Sequence, residues 1–288
     1  MAEHKINRCR PLLGTFVEIN LQANIAEREL IHWSNVAFGE IERIHHALSF
    51  HQADSDLSTL NYALLTQPTK KFLLTADLAE ILLFAEELFT KTAGYYDISI
   101  ASALVASKHL PDHLFTLSPL PLYKTLGSFT DVIIEDNYIS SRRPIIFDLG
   151  GIAKGYAVDQ AIALLPASIR GCINAGGDMR IIDWHQQVVT VKYRRNARAV
   201  KRLTMANSAL ATSGSYYNEH GSQYFNPKAK HYLKISGCLS VFAASAMQAD
   251  ALTKVALIMD RKSAKIILQD YNASAISINR FGFSRQLI

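Results

Sequence analysis

The sequence predicts an α+β fold. Three observations carry that prediction: segments of helical period are interleaved with hairpin-like β runs, the strict strand-helix-strand alternation of a doubly wound sheet is missing, and no low-complexity linker interrupts the 288 residues. One domain over residues 1–288 is therefore expected. Hydrophobic residues make up 49%, which is enough for a substantial buried core.

The elements follow in chain order. Residues 9–22 alternate apolar and polar through Phe16, Glu18 and Leu21, the pattern of a strand. Leu30, Val36, Ile41, Ile44 and Leu48 then recur at helical spacing over 26–50. In HQADSDLSTLN, Asp54 or Ser55 can cap the free amides of a second helix. Residues 75–94, TADLAEILLFAEELFTKTAG, form the clearest helix, with Thr75 as cap, a core-facing Leu/Ile stripe over 78–89 and a stop at Gly94. DVIIE, YISS and PIIFDL, between 131 and 149, read as a hairpin or meander separated by Asp-Asn and Arg-Pro turns. A helix over about 151–165 precedes the strand-like GCINAGGDMRIID and QQVVTVKY. The last third holds LSVFAAS as a strand, SAMQADALTKVALIMD as a helix and two closing strands around 274–287.

Composition excludes several classes. The formal charge of +5 is mild and lacks dense Lys/Arg blocks, so an acidic small molecule or partner is expected rather than nucleic acid. The basic run over 192–202, KYRRNARAVKR, reads as a solvated hairpin, with an acidic acceptor protein as the minority docking reading. Cys9, Cys172 and Cys238 are far apart without a CxxC pair, which indicates neither disulfides nor zinc. No apolar run approaches the roughly 18 residues of a membrane span. The first residues show neither an export signal nor a lipoprotein cleavage site, so the chain as written is expected to stay in the cytoplasm.

Chemistry concentrates at junctions. Gly150 and Gly151 follow Phe147, Asp148 and Leu149 and precede a helix, where backbone amides and the positive helix end can face an anion, and Lys154 lies in the first turn. The pattern is neither GxGxxG nor GxxxxGK[ST], so no Rossmann or P-loop site is indicated and a nicotinamide oxidoreductase is disfavoured. Such a junction taken alone is more often a tight turn than a site. A second one in INAGGDMRI (173–181) and the small polar loop ATSGSYYN (211–218) point to a shared cleft.

LLGT, DSDLSTLN, YYDISI, DLGGIAKGYAVDQA, NAGGDMR, ATSGSYYN and ADALTKVAL occur in the order seen in the FAD:protein FMN transferases, the flavin transferase family once described as thiamine-biosynthesis lipoproteins. The motifs run from Gly14 to about Leu257, most of the chain. The resemblance implies an α+β fold around FAD, a magnesium ion at the diphosphate, and transfer of FMN to a Thr or Ser of an acceptor protein with release of AMP; some members hydrolyse FAD, and many are exported. It implies that Asp148 and Lys154 contact FAD, that Tyr95, Tyr96 and Asp97 line the dinucleotide, and that the Gly151 carbonyl and Asp250 ligate the metal. Leu13 stands where the family commonly has Met, and His51 where an aromatic residue flanks a flavin or adenine ring. Lys154 and Asp250 are the residues assigned to catalysis.

The sequence departs from that pattern in three places. Lys254 occupies the position of a metal-binding Thr four residues after Asp250; it can replace the cation, or turn to the phosphates while Thr253 ligates. In SQYFNPKAK, Gln223 stands for the family's His and Asn226 for its Asp, and an amide is no general base near neutral pH. His220 and His231 are near but not at the matching position. ASALVASKHL, after YYDISI, lacks the family's Gly-Pro. The alternative function is an FAD-binding accessory or carrier protein that has lost transfer. His45 and His46 read as solvent-facing or snorkelling, and Pro111 argues against a helical metal pair of His109 and His113.

Overall fold

The computed structural model describes residues 3–116, 126–194, 199–214 and 224–287. In chain order they form β1 (His4–Leu12), β2 (Thr15–Ala23), α1 (Glu27–Leu48), α2 (Asp56–Thr66), β3 (Phe72–Leu73), α3 (Ala76–Lys91), α4 (Ala101–Ala106), α5 (His113–Thr116), β4 (Val132–Glu135), β5 (Tyr138–Ser141), α6 (Ala153–Ala163), β6 (Arg170–Ala175), β7 (Asp178–Ile182), β8 (Val188–Lys192) and β9 (Val200–Thr204). There follow β10 (Ala209–Gly214), β11 (Phe225–Asn226), β12 (His231–Tyr232), β13 (Cys238–Ala243), α7 (Ala246–Ile258), α8 (Arg261–Asp270), β14 (Ser274–Ile278) and β15 (Ser284–Gln286). Helices and antiparallel sheets are mixed, as the α+β expectation requires. The chain divides into two compact units, one of Met1–His45, Ile152–Gly221 and Lys234–Ile288, the other of His46–Gly151 and Ser222–Leu233.

The first unit is built on a sheet of order β1-β2-β6-β7-β10-β13-β14-β15, in which every neighbouring pair is antiparallel. Residues 9–22 are thus not one strand. They belong to a hairpin whose turn is Leu13 and Gly14, at φ 57° and 67°; two successive left-handed residues match the twist of the flanking strands. GCINAGGDMRIID is likewise a hairpin, turning at Gly176 and Gly177 (φ 66° and 109°), with the Asn174 side chain accepting the Gly177 N–H at 2.9 Å. Helices α6 and α7 pack on each other and on the central strands of the sheet. Successive residues of a strand face opposite ways. Leu210, Cys238, Phe242 and Ile278 therefore form a second core on the other face, closed by Val191 of β8 with Leu203 and Met205 of the β9 region. Helix α8 is not among the expected elements. It is rich in polar and charged residues, but Asp260 caps it through the amides of Lys262 and Ser263, and it buries Ala264, Ile267 and Leu268.

In the second unit, Ser55 caps α2 by accepting the Ser58 N–H at 3.0 Å, and Leu57, Leu60 and Leu64 bury one face of the helix. Leu78, Ile81, Leu82, Ala85 and Leu88 do the same for α3. β4 and β5 are the expected hairpin, joined by β3 in the order β3-β5-β4. PIIFDL is not a strand. Its apolar side chains are buried, but a side chain satisfies its backbone: Asn61 donates to the Phe147 carbonyl at 2.9 Å and accepts the Phe147 N–H at 2.8 Å. The Asp148 N–H then reaches the Ile98 carbonyl at 2.8 Å.

Candidate functional site

The site grows from the crossing of α6 and α7. A Cβ on Gly155 would lie 2.2 Å from the Ala246 carbonyl oxygen, so only glycine lets the first turn of α6 approach the start of α7. Ser245 caps α7 through the Gln248 amide, and Asp159 of α6 accepts the Ala246 and Met247 N–H groups at 2.9 and 2.8 Å while pairing with Arg180. The free amides at this helix start are therefore held by side chains. Asp250, one turn further along α7, comes to lie beside α6.

Asp250 is fully buried, and both its oxygens are engaged. Oδ2 faces the Lys154 ammonium and the Gly155 N–H, each at 3.5 Å. Oδ1 is paired with the ammonium of Lys254, one helical turn on, which also donates to the Asp250 carbonyl at 3.0 Å. Lys154 has a closer partner in Asp178, at 2.7 Å, presented by the first residue of β7 just after the Gly-Gly turn. Two carboxylates and two ammoniums thus form one chain of charge with a formal sum of zero. The lysine side chains are 30% and 17% exposed, whereas the carboxylates are 6% and 0% exposed. The lysines are thus the more accessible members of the cluster, and the carboxylates the buried ones.

Burial pushes the Asp178 carboxyl above its ordinary range and the Asp250 charge adds to the rise; Lys154 and Lys254 oppose it. Burial also pushes Asp250 up, but there the two ammoniums and the Lys254 hydrogen bond win and hold it below its ordinary range. Asp250 is the anion that the two lysines share.

Thr253 is buried behind the cluster, its hydroxyl donating to the Asp250 carbonyl at 2.7 Å and bonded to Ser213 Oγ at 2.7 Å. Thr212, the neighbour of Ser213 in β10, faces the other side of the sheet and bonds Ser240 at 2.8 Å. Sequence reasoning reached Lys154, Asp250, Thr253 and Lys254. It passed over Asp178 and Ser213 as individual residues, although both lie in motifs singled out above. Leu13 lies in the β1–β2 turn of the same unit.

The remaining sequence-derived residues belong to the second unit. The Asp148 carboxylate accepts the Gly150 N–H at 3.2 Å and so shapes the turn that contains Gly151. Asp97 accepts the Ser99 N–H and hydroxyl at 2.8 and 2.6 Å, and burial, opposed by those bonds, pushes its carboxyl up. Tyr96 is buried, and Lys228 lies over the Tyr95 ring, 5.8 Å from its centre. His51 is exposed. Asn226 accepts the Lys228 and Ala229 amides at 3.0 and 2.9 Å, a turn that needs only a side-chain oxygen. His109 and His113 have separate partners: His109 stacks on Tyr232 and bonds Ser107 at 2.9 Å, while His113 packs on Phe50. Gln223, His220 and residues 215–218 lie outside the described residues. Among the described residues, no helix is long and apolar enough to cross a membrane.

Solved structures share the fold of this chain. The ApbE protein of Thermotoga maritima superimposes with a TM-score of 0.81 at 21% identity, over 98% of this chain and 97% of that one. The flavin transferase ApbE from Vibrio cholerae gives 0.76 at 18%, over 99% and 97%. The flavinyl transferase ApbE of Pseudomonas stutzeri gives 0.76 at 16%, over 99% and 95%. At such identities the likeness shows the fold. No match was found among curated proteins. A family model described as the ApbE family matches residues 13–277, nearly the whole length and every motif from the Leu13–Gly14 turn to β14, so the chain belongs to the ApbE family.

Proposed function

We propose that this chain transfers FMN from FAD to a Thr or Ser hydroxyl of an acceptor protein and releases AMP. The observation that carries the reading is the pair of buried carboxylates holding two partly exposed lysines beside the α6 start, in a chain of the ApbE family. The names of the Vibrio cholerae and Pseudomonas stutzeri relatives support the flavin as substrate. In the reaction the acceptor hydroxyl oxygen bonds to the FMN phosphorus, the bond from that phosphorus to the bridging oxygen breaks, the electron pair leaves with AMP, and the hydroxyl proton passes to the departing phosphate or to water. Negative charge builds on the diphosphate oxygens, and fixed cations stabilise it. Lys154, oriented by Asp178, and Lys254, oriented by Asp250, supply them here. Asp148 and the tyrosines of the second unit remain proposed FAD contacts.

The resemblance also implies magnesium, with Gly151, Asp250 and Thr253 as ligands. The donor set does not fit it: Asp250 carries ammonium on both oxygens, the Thr253 hydroxyl is spent on Ser213 and the Asp250 carbonyl, and no group of three His, Cys, Asp or Glu gathers among the described residues.

One observation favours a second reading, an FAD-binding accessory protein without transfer: Gln223 stands where the family has its His. Flavin fluorescence in a denaturing gel, after incubation with FAD and a reporter carrying a Thr acceptor motif, separates the two. A fluorescent reporter band establishes transfer. FAD retained by the native protein with no band counts for the accessory reading, and Gln223→His then tests whether the missing base is the reason.

A further inference from the structure

We infer that Lys254 is a built-in cation: its ammonium holds the place on Asp250 that a divalent ion needs, so the chain takes a diphosphate without metal. The diphosphate half of this inference rests on the reading above; the exclusion of metal rests on the cluster alone.

Three features of the cluster carry it. Asp250 and Lys254 are i and i+4 on α7, so the pair is fixed by the helix and does not depend on a loop closing. The ammonium is anchored twice, by Oδ1 and by the Asp250 carbonyl, which are two of the oxygens a hard cation at this point would take. Lys154 holds the other oxygen of Asp250 and the near oxygen of Asp178, so the two carboxylates are already neutralised. A divalent ion entering here meets two positive heads and no spare negative charge. It must first displace a lysine from a fully buried carboxylate, which leaves an ammonium unpaired in a half-buried space.

The converse follows from the same count. With Lys254 exchanged for a neutral residue, the cluster carries two carboxylates against one ammonium, and Asp250 Oδ1 loses its ammonium partner. Lys254→Thr adds a hydroxyl as a further oxygen donor, whereas Lys254→Met removes the charge and adds none. The two variants therefore separate metal capture from simple loss of positive charge.

The test uses the full chain and Mn2+ as probe, with free Mn2+ read by electron paramagnetic resonance in the presence and absence of ADP. The wild type is expected to retain no Mn2+ at millimolar ion, and Lys254→Thr to bind it at least about tenfold more tightly than Lys254→Met. FAD binding to the wild type, followed by flavin fluorescence, is expected to be equal in magnesium and in chelator. Stoichiometric Mn2+ on the wild type overturns the inference, as does FAD binding that chelator abolishes. Were neither FAD nor ADP to bind under either condition, the flavin reading would fall, while the Mn2+ measurement on the wild type would still decide whether Lys254 excludes metal. That measurement needs no variant, so a misfolded Lys254→Thr does not rescue a wrong inference.

Discussion

At the scale of single residues, Asp250 and Asp178 are neighbours with opposite titration behaviour. Asp250 is held below its ordinary range by Lys154 and Lys254 against the pull of burial, so its charge stabilises the fold; that contribution is present above the unfolded carboxyl value and is lost as pH falls through the folded one. Asp178 is pushed up by burial and by the Asp250 charge, so its stabilising contribution is complete only below the unfolded value and is lost as pH rises through the folded one. Urea unfolding between acid and neutral pH tests both. Asp250→Asn should cost about 3 kcal/mol at neutral pH, as breaking a buried pair does, and the gap to wild type should shrink in acid. For Asp178→Asn the disadvantage should be smaller at neutral pH and grow as pH falls. Matching pH slopes for the two variants would contradict the assignment of Asp250 as the shared anion.

Elements, rather than side chains, set where these charges meet. The α6–α7 crossing depends on a missing methyl: a Cβ at Gly155 would also fall 2.5 Å from the Ala246 carbonyl carbon, and backbone cannot swing aside as a lysine tip can. Gly155→Ala should therefore cost about 3 kcal/mol and weaken FAD binding, because α7 carries both Asp250 and Lys254. Urea unfolding and flavin fluorescence check the two effects; an alanine variant of wild-type stability would mean that the helices are not in contact there. A Gly155→Ala protein that folds but binds FAD poorly would place the defect in the crossing. The same crossing gives the partly buried Asp159 its role: it ties the α7 start to α6 and balances Arg180.

For the molecule as a whole, the sequence exposed the fold class, most helices and the pair Lys154 and Asp250, because these depend on local period and on ordered motifs. It hid what depends on chain segments far apart. Leu13 is no ordinary turn residue, so the β1–β2 hairpin read as one strand; PIIFDL has strand composition but finds its partner in Asn61, 86 positions away. Asp178 shares no local pattern with Lys154 and meets it only because β7 lies beside α6. Net charge, by contrast, is legible without any fold, and it makes a last prediction. The four-residue cluster sums to zero, so before contact an anionic diphosphate is drawn by the field of the chain at large, formally +5. On the proposed function it is then held by the partly buried Lys154 and Lys254, whose charges salt screens poorly. Stopped-flow FAD fluorescence should then show an association rate that falls several-fold between about 0.01 and 0.15 M salt, with a dissociation rate that barely moves. If salt acted mainly on dissociation, the holding charges would have to be exposed ones, and the basic run over 192–202 would become the better place to look for the diphosphate.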